Sequence, residues 1–506
     1  MVTSDVPNHS CEISVWNGRD DDLFFTSNML STNLLMRFAF ESSQAPACTK
    51  RAAPGTLAPP PLTPLWHGRR LFRPDSRQPG TKSSRFCRLI VLLTVQVLPL
   101  MILTGCYPAP GDPVGIAAPP PPFERAPWVQ DVDRTSAVIM WMITDATPAD
   151  VGGHVQFRVA GADGDWMTVA TVRRTDRIRS SLLTGLPSGS SIEYRILTDE
   201  LRQPVFRFRT APDAGFESWP IRVLLFGDSG WGGEEQIRLS RQMRKVSWDL
   251  LVHLGDVAYE DGTEEELTMR HFQIYAEILQ STPMFPVVGN HDLHTDNGAA
   301  YDASFVWHPP YPGERYYAYR WGGVQFVALD TSSPTADVVD LRDGTGRQYD
   351  WLQETLQTAH DDPTIGWTIV YMHHPIISHG LGISGHGGDR KLRVALAPLF
   401  EKWGVDLVAA GHEHHYERTT PVRQGRKVPR GCGPVYVVAG GAGASRYARG
   451  VGISSVTAVS SREYSYVDLS IEAGVIAGRT IKQDGSLLDE FRIQPFAEED
   501  APACSN

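Results

Sequence analysis

Five apolar runs between residues 221 and 410 each end in a short polar motif able to hold a cation, and this repetition limits the fold more than any other feature. Ile221–Phe226 leads into Gly227-Asp228-Ser229-Gly230, and residues 250–254 into Gly255-Asp256-Val257-Ala258-Tyr259. Residues 285–288 lead into Gly289-Asn290-His291-Asp292, Trp367–Met372 into His373-His374-Pro375, and residues 405–410 into Gly411-His412-Glu413-His414. Short runs that are apolar on every side read as strands buried on both faces, the pattern of parallel sheets. Open α/β sheets of that kind bind ligands beyond the carboxyl ends of their strands. Gly255 closes the central run in a turn where a Cβ would be unwelcome. Helices are expected at 234–246 and across 271–279.

The rest of the chain divides by composition. Residues 1–80 have no sustained period, carry a Pro tract from Pro59 to Pro64, and read as disordered. Lys82, Arg85 and Arg88 then precede an apolar run, 89–103, that is shorter than the roughly 20 residues a spanning helix needs. It fits a secretory leader over 81–105, closed by Leu103-Thr104-Gly105-Cys106. A leader some eighty residues in points to a start placed too far upstream. Residues 106–121 are Pro, Gly and Ala, a tether with nothing to pack.

Residues 122–212 hold short strands separated by turn residues: 137–141, 155–159, 166–169, 194–197 and 205–208, the spacing of an all-β sandwich. No chemical constellation falls within them, and a packing or positioning role is expected. The second domain runs over 213–495, closing with strands near 435–438, 465–469 and 475–477 and a hairpin turn at Asp484-Gly485. Residues 496–506 form an acidic tail. Arg423, Arg426, Lys427 and Arg430 read as a solvated loop. The formal net charge of −11 argues against a general nucleic-acid binder. Of six cysteines, Cys432 and Cys504 alone fall in the body of the exported chain, their spacing leaves pairing open, and no zinc pattern is present.

The motif order Asp-x-Gly, Gly-Asp-x-x-Tyr, Gly-Asn-His, Val-x-x-His and Gly-His-x-His resembles the purple acid phosphatases within the calcineurin-like metallophosphoesterases, over roughly residues 122–493. Related phosphoesterases commonly carry a metal-binding His where this chain has Gly230, and Tyr259 supplies the replacement one motif later. The resemblance implies a four-layer α/β/β/α sandwich preceded by a module that resembles fibronectin type III, with Leu186-Pro187 and Tyr194 similar to its tyrosine corner. Leu103 to Cys106 resembles a bacterial lipobox, which implies a lipid anchor at Cys106 and a cell-envelope location, in the outer membrane or periplasm.

Residue by residue, the resemblance implies one metal held by Asp228, Tyr259 and His414, a second by Asn290, His373 and His412, and Asp256 bridging both. A phenol, with an ordinary pKa of about 10, ionises at neutral pH only against a strong Lewis acid, so Fe(III) suits the Tyr259 side. Imidazole and amide donors suit a divalent Zn, Fe or Mn ion. The implied reaction is hydrolysis of a phosphate monoester by a metal-bound hydroxide attacking in line. His291 is the expected group to steady phosphate and protonate the leaving oxygen. His379 and His386 compete for a second such role, His386 being favoured by its Gly-rich surroundings, while His374 and His415 read as supporting residues. The motifs leave the leaving group open, so a phosphodiesterase or nucleotide pyrophosphatase is the alternative enzyme. A surface binding protein with an inert phosphatase domain is the alternative from another class. Substrate identity and oligomeric state are not encoded in any motif.

Overall fold

The expected strands form because their Val, Ile, Leu and Phe side chains have two buried faces to fill. The computed structural model describes residues 13–14, 24–25, 116, 119, 122–145, 153–161, 164–197, 204–215, 220–379, 386–446, 454–496 and 504. The leader over 81–105, the anchor Cys106, most of the tether and most of the tail lie outside the described residues, as does the expected disorder of 1–80, apart from a short pairing of Ile13–Ser14 with Phe24–Phe25.

Ile221–Phe226, Leu250–His253 and Met284–Pro286 pair in parallel, and Ser465–Glu472, Val475–Lys482 and Leu487–Ile493 extend them antiparallel into a six-stranded sheet. The turn at Asp484-Gly485 joins the last two strands, with Gly485 at a positive φ of 83°. A second sheet has seven strands: Val324–Leu329, Trp367–Met372, Leu407–Ala410 and Val435–Ala439 run parallel, Tyr317–Trp321 and Tyr416–Thr419 run against them, and Thr457–Ser461 pairs antiparallel with Tyr416–Thr419.

Alternation along the strands builds the layers. Val223, Leu225 and Val252 of one sheet meet Phe326, Ala328, Tyr371 and Ala409 of the other in a shared core. Their sequence neighbours point outward. Leu224, Phe226 and Leu251 pack on Ile237, Leu239 and Met243 of helix Glu234–Met243. Val327, Val370 and Val408 pack on Leu352 and Leu356 of helix Gly346–Asp361 and on Leu392 and Leu396 of helix Arg390–Lys402. The four-layer α/β/β/α expectation therefore holds.

The preceding all-β region is two four-stranded sheets. Beyond the expected strands it contains Phe123–Gln130, Val172–Arg173 and Ile178–Thr184. The first of these carries Pro127 and accordingly sits at a sheet edge. Tyr194 does not make a corner within its own module: its hydroxyl donates to the Gln280 carbonyl of the second domain at 2.8 Å.

That bond belongs to a wider seam whose centre is Arg125. The guanidinium is fully buried and donates to Thr268 Oγ1 (2.8 Å), Ser304 Oγ (2.7 Å) and the Glu264 carbonyl (3.0 Å), while lying 4.3 Å above the Phe272 ring. Burial lowers its pKa to about 9, with Glu264 opposing the shift. Beside this seam the chain departs from the expected helix at 271–279. Thr268 Oγ1 and Arg125 both take the Glu264 carbonyl, and the following residues form a π-turn, Thr268–Phe272, before the helix resumes at Ala276–Leu279. Cys432 and Cys504 are joined in a disulfide.

Replacing Arg125 with Ala removes three hydrogen bonds and the contact with the Phe272 ring from a buried seam, and is expected to cost about 2–4 kcal/mol of stability. Arg173→Ala, which removes an exposed pair with Asp176, is expected to cost under about 0.5 kcal/mol. Urea midpoints at constant m-value measure both; equal losses would show that the seam carries no special weight.

Candidate metal centre

Because the parallel strands of each sheet end on one edge, their terminal motifs meet there. Asp228, Asp256 and His412 have φ of 55°, 52° and 66°, a left-handed conformation that non-glycine residues seldom adopt. Each turns the chain sharply as it leaves its strand. The turns are bonded to each other: Asp228 N–H donates to the Gly255 carbonyl (3.0 Å), Tyr259 N–H to Gly230 (3.0 Å) and Gly411 N–H to His373 (3.0 Å). Gly289 passes so near Asp256 that a Cβ there would collide with both its backbone and its carboxylate. At Gly230 a Cβ would strike the backbone of Val257 and Ala258.

Seven donor side chains meet in the resulting cleft. Asp256, His373 and His412 form one group and Asp228, Asp256 and His414 another, the potential ligand atoms of each lying within 4.8 Å of one another. Asp256 is common to both. Tyr259 lies across the second group, its hydroxyl 2.9 Å from Asp256 Oδ2, 3.2 Å from Asp228 Oδ1 and 3.1 Å from His414 Nε2. Asn290 joins the first, its Oδ1 3.0 Å from His373 Nε2.

The tautomers aim lone pairs inward. His373 Nδ1 donates to the Leu254 carbonyl (2.8 Å) and His414 Nδ1 to Ser445 (2.7 Å), which leaves both Nε2 atoms facing the cleft. His373 Nε2 also faces His412 Nδ1 at 3.2 Å and Asp256 Oδ2 at 3.4 Å. Electron-rich atoms this close are held together only by a proton or a metal cation between them. The donor set therefore fits a pair of metal ions, with oxygen donors concentrated on the Tyr259 side and nitrogen donors on the other.

The electrostatics agree. Burial raises the Asp228 carboxyl well above the usual range, with Asp256 adding to the effect and His373 opposing it. Burial works the same way on Asp256, but the charge of His373 and its hydrogen bond hold that carboxyl well below normal. Burial would depress His373, yet Asp256 lifts it to about 9. His414 falls to about 4, and His412 also falls well below normal, in both cases chiefly through burial, so both rings are neutral donors.

The supporting residues sort differently from one another. His291 packs against the Tyr259 ring with centroids 4.5 Å apart; its N–H donates to Asp256 Oδ1 (2.9 Å), and its Nδ1 lies 2.7 Å from the Glu260 carbonyl. His386 lies over His412, centroids 4.7 Å apart. His379 is turned elsewhere, with its Nδ1 on Glu417 at 2.9 Å. His374 is 4.4 Å from the His412 ring and is steadied by Thr331 Oγ1 at 3.1 Å. Arg423, Arg426 and Lys427 lie in a small hairpin, Val422–Arg423 with Arg426–Lys427.

Three carboxylates that sequence reasoning gave no role brace the site. Asp292 accepts from Val257 N–H (2.8 Å), Ala258 N–H (3.2 Å) and Gly289 N–H (2.9 Å), locking two of the motif loops together. Glu266 accepts from the amides of Glu260, Asp261 and Thr263 just beyond Tyr259. Glu413 accepts from the His386 and Gly387 amides at 2.7 and 2.6 Å. The only signals were position: Asp292 and Glu413 lie inside the third and fifth motifs, and Glu266 closes Thr263-Glu264-Glu265-Glu266, a capping-box sequence.

Residues 221–416 match the family model of the calcineurin-like phosphoesterases. The chain carries a calcineurin-like metallophosphoesterase domain. Its relatives include purple acid phosphatase 21 of Arabidopsis thaliana, 30% identical over 47% of this chain and 52% of that protein. Human acid phosphatase type 7 is 26% identical over 71% of this chain and 87% of its own length. The chain thus spans about half the length of the plant relative. Among solved structures, a purple acid phosphatase from yellow lupin seeds superposes with a TM-score of 0.62 over 74% of this chain and 75% of its own, at 20% identity, a likeness of fold.

The clash at Gly289 yields a direct test of the cleft. Gly289→Ala should displace Asp256 and abolish metal binding, read by metal analysis of purified protein, while circular dichroism stays that of the parent. Full metal content in this variant would show that the cleft is not where metal binds.

Proposed function

We propose that the chain is an acid phosphatase of the purple type, hydrolysing phosphate monoesters at a dinuclear centre of Fe(III) and a divalent Zn, Fe or Mn ion. The observation that supports it is the pair of donor groups sharing Asp256, with the Tyr259 phenol set against one of them. Asp228, Tyr259 and His414 would hold the trivalent ion, Asn290, His373 and His412 the divalent one, and Asp256 both. When bound, such a pair supplies Lewis acidity that offsets phosphate charge and acidifies water.

The chain's own residues supply orientation and the proton. The Glu260 carbonyl accepts from His291 Nδ1, which leaves Nε2 as the nitrogen able to pass a proton to the departing alkoxide. His386, over the His412 ring on the opposite group, is placed to steady a phosphate oxygen. His379 is less suited to that task, since Glu417 holds its Nδ1. The all-β region serves as a fibronectin type III-like module that buttresses the catalytic domain through Arg125. Export, with a lipid anchor at Cys106, belongs to the same proposal, and the Cys432–Cys504 disulfide supports an oxidising compartment.

A visible absorption spectrum with metal analysis, and turnover on a phosphate monoester against a diester, tests this reading. A purple or pink protein with paired metals that prefers the monoester is expected; a colourless protein with two divalent ions would remove the iron assignment, and diester preference would favour a phosphodiesterase. Asp256→Asn should lose metal and activity together. His291→Ala should keep metal and lose roughly 10²–10⁴-fold in kcat, and wild-type turnover in either variant would end the assignment of that residue.

A further inference from the structure

We infer that Glu413, the residue between His412 and His414, is a positioning residue whose carboxylate fixes the backbone at His386 and Gly387 and so holds the His386 ring against His412. The catalytic consequence rests on the phosphatase reading above; the geometric one does not.

Glu413 is fully buried, and a single oxygen, Oε1, receives both the His386 and Gly387 amides. Its second oxygen faces His415 Nδ1 at 3.8 Å, and His415 Nε2 faces Glu417 Oε2 at 3.4 Å. Glu417, also buried, accepts from the His379 amide, from His379 Nδ1 and from Thr457 Oγ1, each at 2.9 Å. Two carboxylates four residues apart in one segment thus grip both described ends of the connection between His373 and helix Arg390–Lys402. Gly387 has φ of 72°, and the next amide, Gly388, donates to the Ser378 carbonyl at 3.1 Å. The turn presenting His386 is therefore pinned to the backbone that carries two proposed ligands. Burying a carboxylate is costly unless its hydrogen bonds are made, and the two that Glu413 accepts both come from main-chain donors of a loop. A rigid link of this kind moves His386 and the His412–His414 pair as one body. Small errors in such placement are expensive in rate.

Reach and charge can be separated at this position. Glu413→Gln keeps the reach and one acceptor oxygen but removes the charge, whereas Glu413→Asp keeps the charge and withdraws the acceptor from the two amides. If Glu413 acts by position, Gln should stay within about twofold of wild-type kcat and Asp should lose roughly ten- to a hundredfold, as much as His386→Ala. The double variant Glu413→Asp with His386→Ala should be no slower than His386→Ala alone. Metal content should stay that of wild type throughout.

Amide hydrogen exchange gives a readout independent of turnover: the His386 and Gly387 amides should exchange roughly tenfold faster or more in the Asp variant and at the wild-type rate in the Gln variant. Unchanged exchange in the Asp variant overturns the inference whether or not the protein is a phosphatase. So does a reversed order, with Gln slow and Asp active, or strictly additive losses in the double variant. Absence of any monoesterase activity with the exchange pattern intact would overturn the phosphatase reading and leave the positioning contact standing.

Discussion

The structure turns on the sharing of one carboxylate. Asp256 belongs to both donor groups, accepts the His291 amide and the Tyr259 hydroxyl, and lies buried beside His373. Desolvating a carboxylate costs several kcal/mol unless opposite charge or hydrogen bonds replace the water. Beyond those donors, Asp228, His412 and His414 direct lone pairs at the same volume, an arrangement that a cation among them stabilises. A cleft of this composition is organised for cations in a way that an ordinary buried salt bridge is not.

Holding such a cluster demands backbone shapes that the chain would not otherwise adopt. Three proposed ligands sit at positive φ, and glycines at 230 and 289 let adjacent loops approach closer than any side chain would permit. Strain of this type persists only when the surroundings over-determine it. Asp292 does so for the second and third loops, tying 257 and 258 to 289. Glu266 does so for the segment after Tyr259, and Glu413 for the turn that carries His386. The acidic residues of the site therefore divide into those that face the cleft and those that spend their oxygens on main-chain amides.

This division explains what could be read from sequence and what could not. The strand-end motifs are local: an apolar run followed by Gly-Asp or Gly-His reports its own turn and its own donor, and the parallel order of the strands then brings the donors together. Asp228, Asp256, Tyr259, Asn290, His373, His412 and His414 were legible for that reason. Glu413 was not, because its partners are amides twenty-six and twenty-seven residues away and nothing in the neighbouring sequence marks them. Tyr194 misled for the opposite reason. The local pattern resembled a corner within one module, while its actual acceptor, Gln280, lies 86 residues on in another. The π-turn at Thr268–Phe272 was likewise invisible, since no residue type in that stretch marks the shift of the Gln273 amide onto the Thr268 carbonyl.

The two sheets contribute unequal halves of the proposed centre. Asp228, Asp256, Tyr259 and Asn290 follow strands of the six-stranded sheet, and His373, His412 and His414 follow strands of the seven-stranded one. Each proposed metal takes ligands from both, so a bound ion would bridge the sheets at the edge where their shared core ends. Binding that requires the folded arrangement stabilises the fold by mass action. On the opposite flank Arg125 ties the β region to the segment bearing Arg270, whose guanidinium donates to the Tyr259 carbonyl. The phenol is thus held from the cleft side by its neighbours' lone pairs and from behind by a seam that begins in another module. That continuity gives the β region a structural part in the site, although among the described residues none of its side chains is one of the seven donors.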